Sequence, residues 1–257
     1  MGIGVKFSLQ QFSDVLRIRD ATGTPYILIG GQAVNYWAER YLPTEAELQP
    51  LRPFTSEDID FKGGIEDVRR IAQQLDLVPV FPPKVAMTAL AGAIPFQIGT
   101  LKSNIEIVRR IPGVKGSIDD TAVSAESNGQ SIRVMDPISL LACKMELAAT
   151  VAQEKRQDIA HLKILVPCVR AFLNEFLQLV ELGTIPAKDW LGAVNRVLKL
   201  TQGRRAQKLA EQHRIHWQDI LPLPAIYGCA NQKIVRFRVQ QLERGWEKSG
   251  GGEIGTS

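Results

Sequence analysis

Apolar positions recur at two spacings along this chain, and the spacing changes near residue 136. In "SLQQFSDVLRIRDA", Leu9, Phe12, Val15, Leu16 and Ile18 fall near helical spacing, which predicts a helix capped by Ser8 and stopped before Gly23. "YILIGG" (26–31) is a short apolar run closed by two glycines, the pattern of a buried strand entering a tight turn. "QAVNYWAERY" then predicts a helix with Ala33, Tyr36, Trp37 and Tyr41 on its apolar side, and "LPTEAELQPLRPF" reads as a proline-punctuated loop or insertion. "EDIDF" predicts the next strand, and "GIEDVRRIAQQL" an amphipathic helix with Ile65, Val68, Ile71 and Leu75 in register. Phe96 and Ile98, then Ile105 and Ile107 with Val108, mark a strand pair. Asn128-Gly129 is the strongest short-range signal for a two-residue hairpin.

From Asp136, an N-cap followed by Pro137 at the first helical position, the pattern is helical to about Trp246. Breaks are expected at Pro167, at 183–186, at Gly203 and at 222–224. The fold class that follows is α+β: a mixed β-sheet flanked by helices over residues 1–135, then an α-helical domain over 136–248. The closing "SGGGEIGTS" (249–257) has a linker composition and is expected to be a disordered tail. No internal repeat is visible.

The 257 residues are 45% hydrophobic and 23% charged, the balance of a globular protein with an adequate core. No apolar run reaches the roughly 18 residues of a membrane span, so no membrane partner is expected. The N-terminus lacks the layout of a signal peptide, and Cys143, Cys168 and Cys229 are isolated. That odd, sparse count points to a reducing, cytoplasmic setting rather than a disulfide framework. Charge is unevenly placed. Residues 196–248 hold 11 Lys and Arg against 4 Asp and Glu, whereas residues 1–195 hold 20 against 22. A basic segment of this kind attracts a polyanion such as RNA, or is a solvated helical surface.

The chemistry concentrates in "TSEDIDF". On a strand Asp58 and Asp60 share one face and Ile59 and Phe61 the other, so two like charges stand side by side. A cation between them makes that arrangement sensible. Mg²⁺ takes oxygen ligands from one or two carboxylates plus phosphates and water, and a pair of such ions clamps the oxygens of a phosphoryl or nucleotidyl transfer. Glu106, between Ile105 and Ile107, supplies a third acid if its strand lies beside the first. Gly30 and Gly31, at a strand-to-helix turn, let backbone approach a phosphate at a helix N-terminus. His213 and His216 read as a surface pair, and His161 as a helix-face residue. No serine elbow, zinc-cysteine pattern or dinucleotide glycine motif is present.

Over about residues 10–165 the order of these motifs resembles the nucleotidyltransferase superfamily with the DNA-polymerase-beta-like fold. The likeness is to its compact microbial members, which include the toxin nucleotidyltransferases of abortive-infection and toxin–antitoxin systems. The matching positions are Gly30 and Gly31, then Thr55, Ser56, Asp58 and Asp60, then Glu106, with Lys144, Arg156 and Asp158 similar to later family positions. The resemblance implies that Asp58 and Asp60 hold Mg²⁺ (or Mn²⁺) as catalytic metal ligands and that Glu106 completes the metal site or acts as general base. It further implies that Gly30, Gly31 and Ser56 bind nucleotide phosphates and that Lys144 neutralises triphosphate charge. The implied reaction moves a nucleotidyl group from an NTP such as ATP to an acceptor hydroxyl on RNA, protein or a small molecule. Implied partners are a tRNA-like RNA on region 196–248 and a cognate antitoxin. The alternative is a catalytically inactive nucleotide- or nucleic-acid-binding module, or a toxin–antitoxin component. The chain departs from the family pattern in the long gap before Asp58, in Glu rather than Asp at 106, and in Gly31 where Ser is common.

Overall fold

The structure, a computed structural model, describes residues 5–83, 85–154 and 156–243. The apolar run before the glycines forms β1 (Ile27–Ile29), wholly buried, and the chain passes directly into α1 (Gly30–Tyr41). β2 (Ile59–Lys62) buries Ile59 and Phe61 and leaves the alternate residues partly open. After α2 (Ile65–Gln74) come two antiparallel hairpins. The first is β3 (Leu90–Ile98) with β4 (Leu101–Val108), the second β5 (Val123–Ser127) with β6 (Gln130–Val134). Asn128 and Gly129 both take positive φ (50° and 70°), the geometry a two-residue hairpin turn requires.

All six strands join one mixed sheet in the order β3-β4-β2-β1-β6-β5. The pairs β2–β4 and β1–β6 are parallel, and β1–β2 is antiparallel. The helical part begins with α3 (Pro137–Thr150) and the long α4 (Asp158–Glu181), followed by α5 (Ala187–Thr201) and α6 (Arg204–His213). Two short helices, α7 (Leu223–Gly228) and α8 (Gln232–Phe237), follow, and the chain continues from α8 into a π-helical turn, Arg238–Glu243. A continuous cluster of buried side chains runs through sheet and helices alike. Trp37 of α1 sits at the junction: its indole N–H donates to the Met135 carbonyl at 2.8 Å, and its ring packs on Tyr41 and Phe172. The Tyr41 hydroxyl donates to Glu175 of α4 at 2.8 Å. α1 is therefore covered on more than one side, which is why so many of its residues are apolar.

Three local expectations change. The predicted first helix is two 3₁₀ turns, Leu9–Phe12 and Val15–Arg17, although Ser8 does cap the first, with its N–H bonded to Gln11 Oε1 at 2.9 Å. Leu9, Phe12, Val15, Leu16 and Ile18 are all buried, so the segment follows the core surface instead of presenting one helical face. Pro167 lies inside α4 and does not end it. An interior proline costs a helix about 3 kcal/mol, and here Ile164 to Val169 are buried without interruption, so packing outweighs it. Ile65, expected on the apolar face of α2, is 40% exposed, while Val68 and Ile71 are fully buried.

The loop after α1 contains a 3₁₀ turn, Ala46–Leu51, that buries Leu48 and ties Glu45 and Glu47 to Arg170 of α4. Trp246 and the 249–257 tail lie outside the described residues. No helix among the described residues is long and apolar enough to cross a membrane.

Asp136 sets where α3 starts. Its Oδ1 accepts from the N–H groups of Ile138 (3.0 Å) and Ser139 (2.9 Å), and the side chain is buried. Asp136→Ala is expected to lower unfolding free energy by about 1–2 kcal/mol. In urea denaturation this should move the midpoint and leave the slope unchanged.

Candidate active site

Strand register brings the candidate acids together. Asp60 lies opposite Ile29 of β1 on one side and opposite Glu106 of β4 on the other. Asp58 is one residue before β2. Carboxylate oxygens of Asp58, Asp60 and Glu106 all lie within 4.8 Å of one another, and no other group of three metal-capable side chains occurs among the described residues. On the opposite face Ile59, Phe61, Ile105 and Ile107 are buried. A slip of one residue would drive carboxylates into the core, so the apolar face holds the acids in register.

Because Ile29 faces Asp60, the chain leaves β1 directly beside that carboxylate. Gly30 has φ +68°, and a Cβ there would overlap the Asp60 side chain. A Cβ on Gly31 would overlap the Ser56 hydroxyl and approach His161 Cε1 to 3.3 Å. The Gly31 backbone N–H stands near enough to the Asp60 carboxylate to work against the rise in its pKa. Ser56 is buried, and its Oγ donates to Asp58 Oδ1 at 3.4 Å, a long bond. The first turn of α1 thus faces two acids, a hydroxyl and an imidazole.

Cations stand behind the acids. Lys144 of α3 is buried and bonds Asp158 Oδ1 at 2.9 Å. Arg156 Nε reaches Asp158 Oδ2 at 2.5 Å. Burial works to raise the Asp158 pKa, yet Lys144 and Arg156 hold it below its ordinary value. Lys144, expected at a triphosphate, is thus paired with Asp158 while its charge also acts on Asp58 and Asp60.

The triad behaves oppositely. Asp60 is pushed well above its ordinary pKa by burial, then by Asp58 and Glu106. Glu106 rises through burial and Asp58, and Asp58 rises through burial against the opposing pull of Lys144. Three half-buried carboxylates whose pKa values all rise carry more negative charge than their surroundings balance. An all-oxygen, anionic donor set fits a hard divalent cation such as Mg²⁺ or Mn²⁺.

His161 has a larger place here than its sequence context suggested. It is 4% exposed, and neither ring nitrogen has a hydrogen-bond partner among the described residues. Burial, then Lys144, with Lys6 and Arg156 adding to it, holds its pKa well below the usual histidine value, so the imidazole is neutral. The available signal was its spacing: His161 follows Asp158 by three residues on one helix and so shares its face. His213 and His216, at and beyond the end of α6, join no such cluster. Of the basic positions, Arg204, Arg205, Lys208 and Arg214 are exposed; Arg205 also pairs with Glu146 at 2.5 Å, and Arg196 donates to Ser139 Oγ at 2.9 Å.

No protein-family model and no curated protein matches the sequence. Among solved structures, the chain is similar to an antigenic nucleotidyltransferase-like protein from Paracoccidioides brasiliensis. Identity is 12%, with a TM-score of 0.43 over 82% of this chain and 95% of that one. It is also similar to JHP933 from Helicobacter pylori, at 14% identity and a TM-score of 0.36 over 94% of each chain.

A carboxyl whose pKa is higher folded than unfolded binds its proton more tightly in the folded state. Its stabilising contribution is complete below the ordinary carboxyl value and is lost as pH rises through the raised one. In chelator, acidification from pH 8 to pH 5 is therefore expected to favour the triad. Asp60→Asn should raise Tm at pH 8 and give a smaller gain at pH 5, read by calorimetry. A Tm difference that is absent at both pH values would contradict the charge crowding.

Proposed function

We propose that this chain is a metal-dependent nucleotidyltransferase that moves a nucleotidyl group from an NTP to an acceptor hydroxyl. The observation that carries the reading is the convergence of Asp58, Asp60 and Glu106 on the open face of β2 and β4, beside the Gly30–Gly31 turn. Asp58, Asp60 and Glu106 would hold Mg²⁺ or Mn²⁺, which supplies charge neutralisation and Lewis acidity at the transferring phosphate. The first-turn N–H groups of α1 offer phosphate oxygens unsatisfied donors at the positive end of the helix dipole. The Gly31 N–H acts on the Asp60 carboxylate, so a carboxylate drawn towards a cation leaves that donor to a phosphate. Lys144 and Arg156, fixed by Asp158, add positive potential behind the phosphates without leaving their ion pairs.

The acceptor is an RNA in this proposal, because Arg204 and Lys208 stand one helical turn apart on the exposed side of α6. Cytoplasmic residence fits a chain whose described cysteines are all free.

Incubating a cell lysate with α-³²P-labelled NTPs, Mg²⁺ and the wild-type protein should label RNA, and Asp60→Ala should abolish the label. Arg204→Glu with Lys208→Glu should cut RNA labelling several-fold at low salt and less at high salt. Labelled protein in place of RNA would move the acceptor to proteins. Metal-dependent NTP binding without label would mean a binding module, and the loss of both would end the nucleotide reading.

A further inference from the structure

We propose, taking the nucleotide reading above as given, that His161 is a positioning residue for the nucleotide's phosphates and acts through the Ser56 hydroxyl at the first turn of α1. The geometry begins at Gly31. The space where a side chain at position 31 would stand is taken by Ser56 Oγ and bordered by His161 Cε1, so hydroxyl and imidazole crowd one point at the helix N-terminus. Both side chains are more than nine-tenths buried.

Neither group is well satisfied. Among the described residues His161 bonds through neither nitrogen, and Ser56 Oγ holds only the 3.4 Å bond to Asp58. A buried imidazole with both nitrogens idle is costly, because each polar group has lost its water without compensation. A ring rotation that turned one N–H towards Ser56 Oγ, which borders the same point at Gly31, would give both groups a partner. That oxygen, accepting from His161, directs its own O–H away from the ring.

In the structure the O–H donates to Asp58 Oδ1. With Asp58 engaged by a cation, the same O–H is free for a phosphate oxygen beside the α1 N–H groups. The imidazole itself need not meet the ligand, which agrees with its enclosure. Its neutrality suits the role, since a cation beside Lys144, Arg156 and Lys6 would be repelled.

Glycine at 31 is part of the same arrangement. It leaves room for a hydroxyl to reach the helix N-terminus from Ser56, on a neighbouring segment anchored by the Phe7–Ser56 bridge.

The test uses tripolyphosphate with Mg²⁺ as the probe, titrated calorimetrically, with Mn²⁺ alone followed in parallel. His161→Phe keeps a ring and removes both idle nitrogens, so Tm should hold or rise while tripolyphosphate affinity falls about three- to tenfold, the value of one hydrogen bond. Mn²⁺ affinity should not move. His161→Gln, which keeps a donor, should recover affinity to within about twofold. Ser56→Ala creates no overpacking and keeps the test open if the phenylalanine variant is unstable. It should lose as much affinity as His161→Phe, and the double variant no more than either single one. Wild-type affinity in a folded His161→Phe protein, or losses that add in the double variant, would overturn the role of His161. Wild-type protein that binds Mn²⁺ but not tripolyphosphate would instead overturn the nucleotide reading.

Discussion

The parallel register of β2 and β4 holds like charges together that would otherwise separate, and most of the molecule is arranged around that strain. Two unit charges about 5 Å apart repel by roughly 3–4 kcal/mol at the effective dielectric of a protein site. Against this stand Ile59, Phe61, Ile105 and Ile107 on the opposite face, all with essentially no exposure. Each contributes about 1.5–3 kcal/mol on burial. Their combined contribution is of the same order as the three pairwise repulsions of the triad, so the apolar face offsets the crowding and the strands stay paired with acid facing acid.

The surrounding charges are arranged to limit the cost without cancelling it. Asp158 binds both Lys144 and Arg156, which fixes two cations behind the acids and keeps them from collapsing onto the triad. A buried ion pair of this kind adds little net stability compared with apolar packing. Its consequence is positional: positive potential is set at a defined place while the acids keep their deficit. α3 and α4 carry these residues, so the helical part of the chain completes a site that the sheet begins.

Much of this was legible in the residues. The strand-glycine-helix turn, the alternation in "EDIDF", the Asn128-Gly129 hairpin and the Asp136-Pro137 helix start depend on local chemistry, and each appears where the pattern put it. The misjudged parts are those where burial overrides local preference. The segment around Leu9 to Ile18 buries residues on more than one side and winds as 3₁₀ turns, and Pro167 is carried inside a stretch of helix, Ile164 to Val169, that is buried without interruption. His161 reads locally as a helix-face residue, because its spacing from Asp158 gains meaning only once α4 packs against the first turn of α1.

By itself the sequence determined which residues carry charge, which faces are apolar and which turns need glycine, because those properties reside in single residues and their near neighbours. The tertiary structure decided the rest. Pairing β2 with β4 across more than forty residues made Glu106 a neighbour of Asp60. Packing α4 against the first turn of α1 set His161 beside Gly31 and Ser56. Such contacts are chosen by the closing of one core shared by sheet and helices, and no local spacing encodes them.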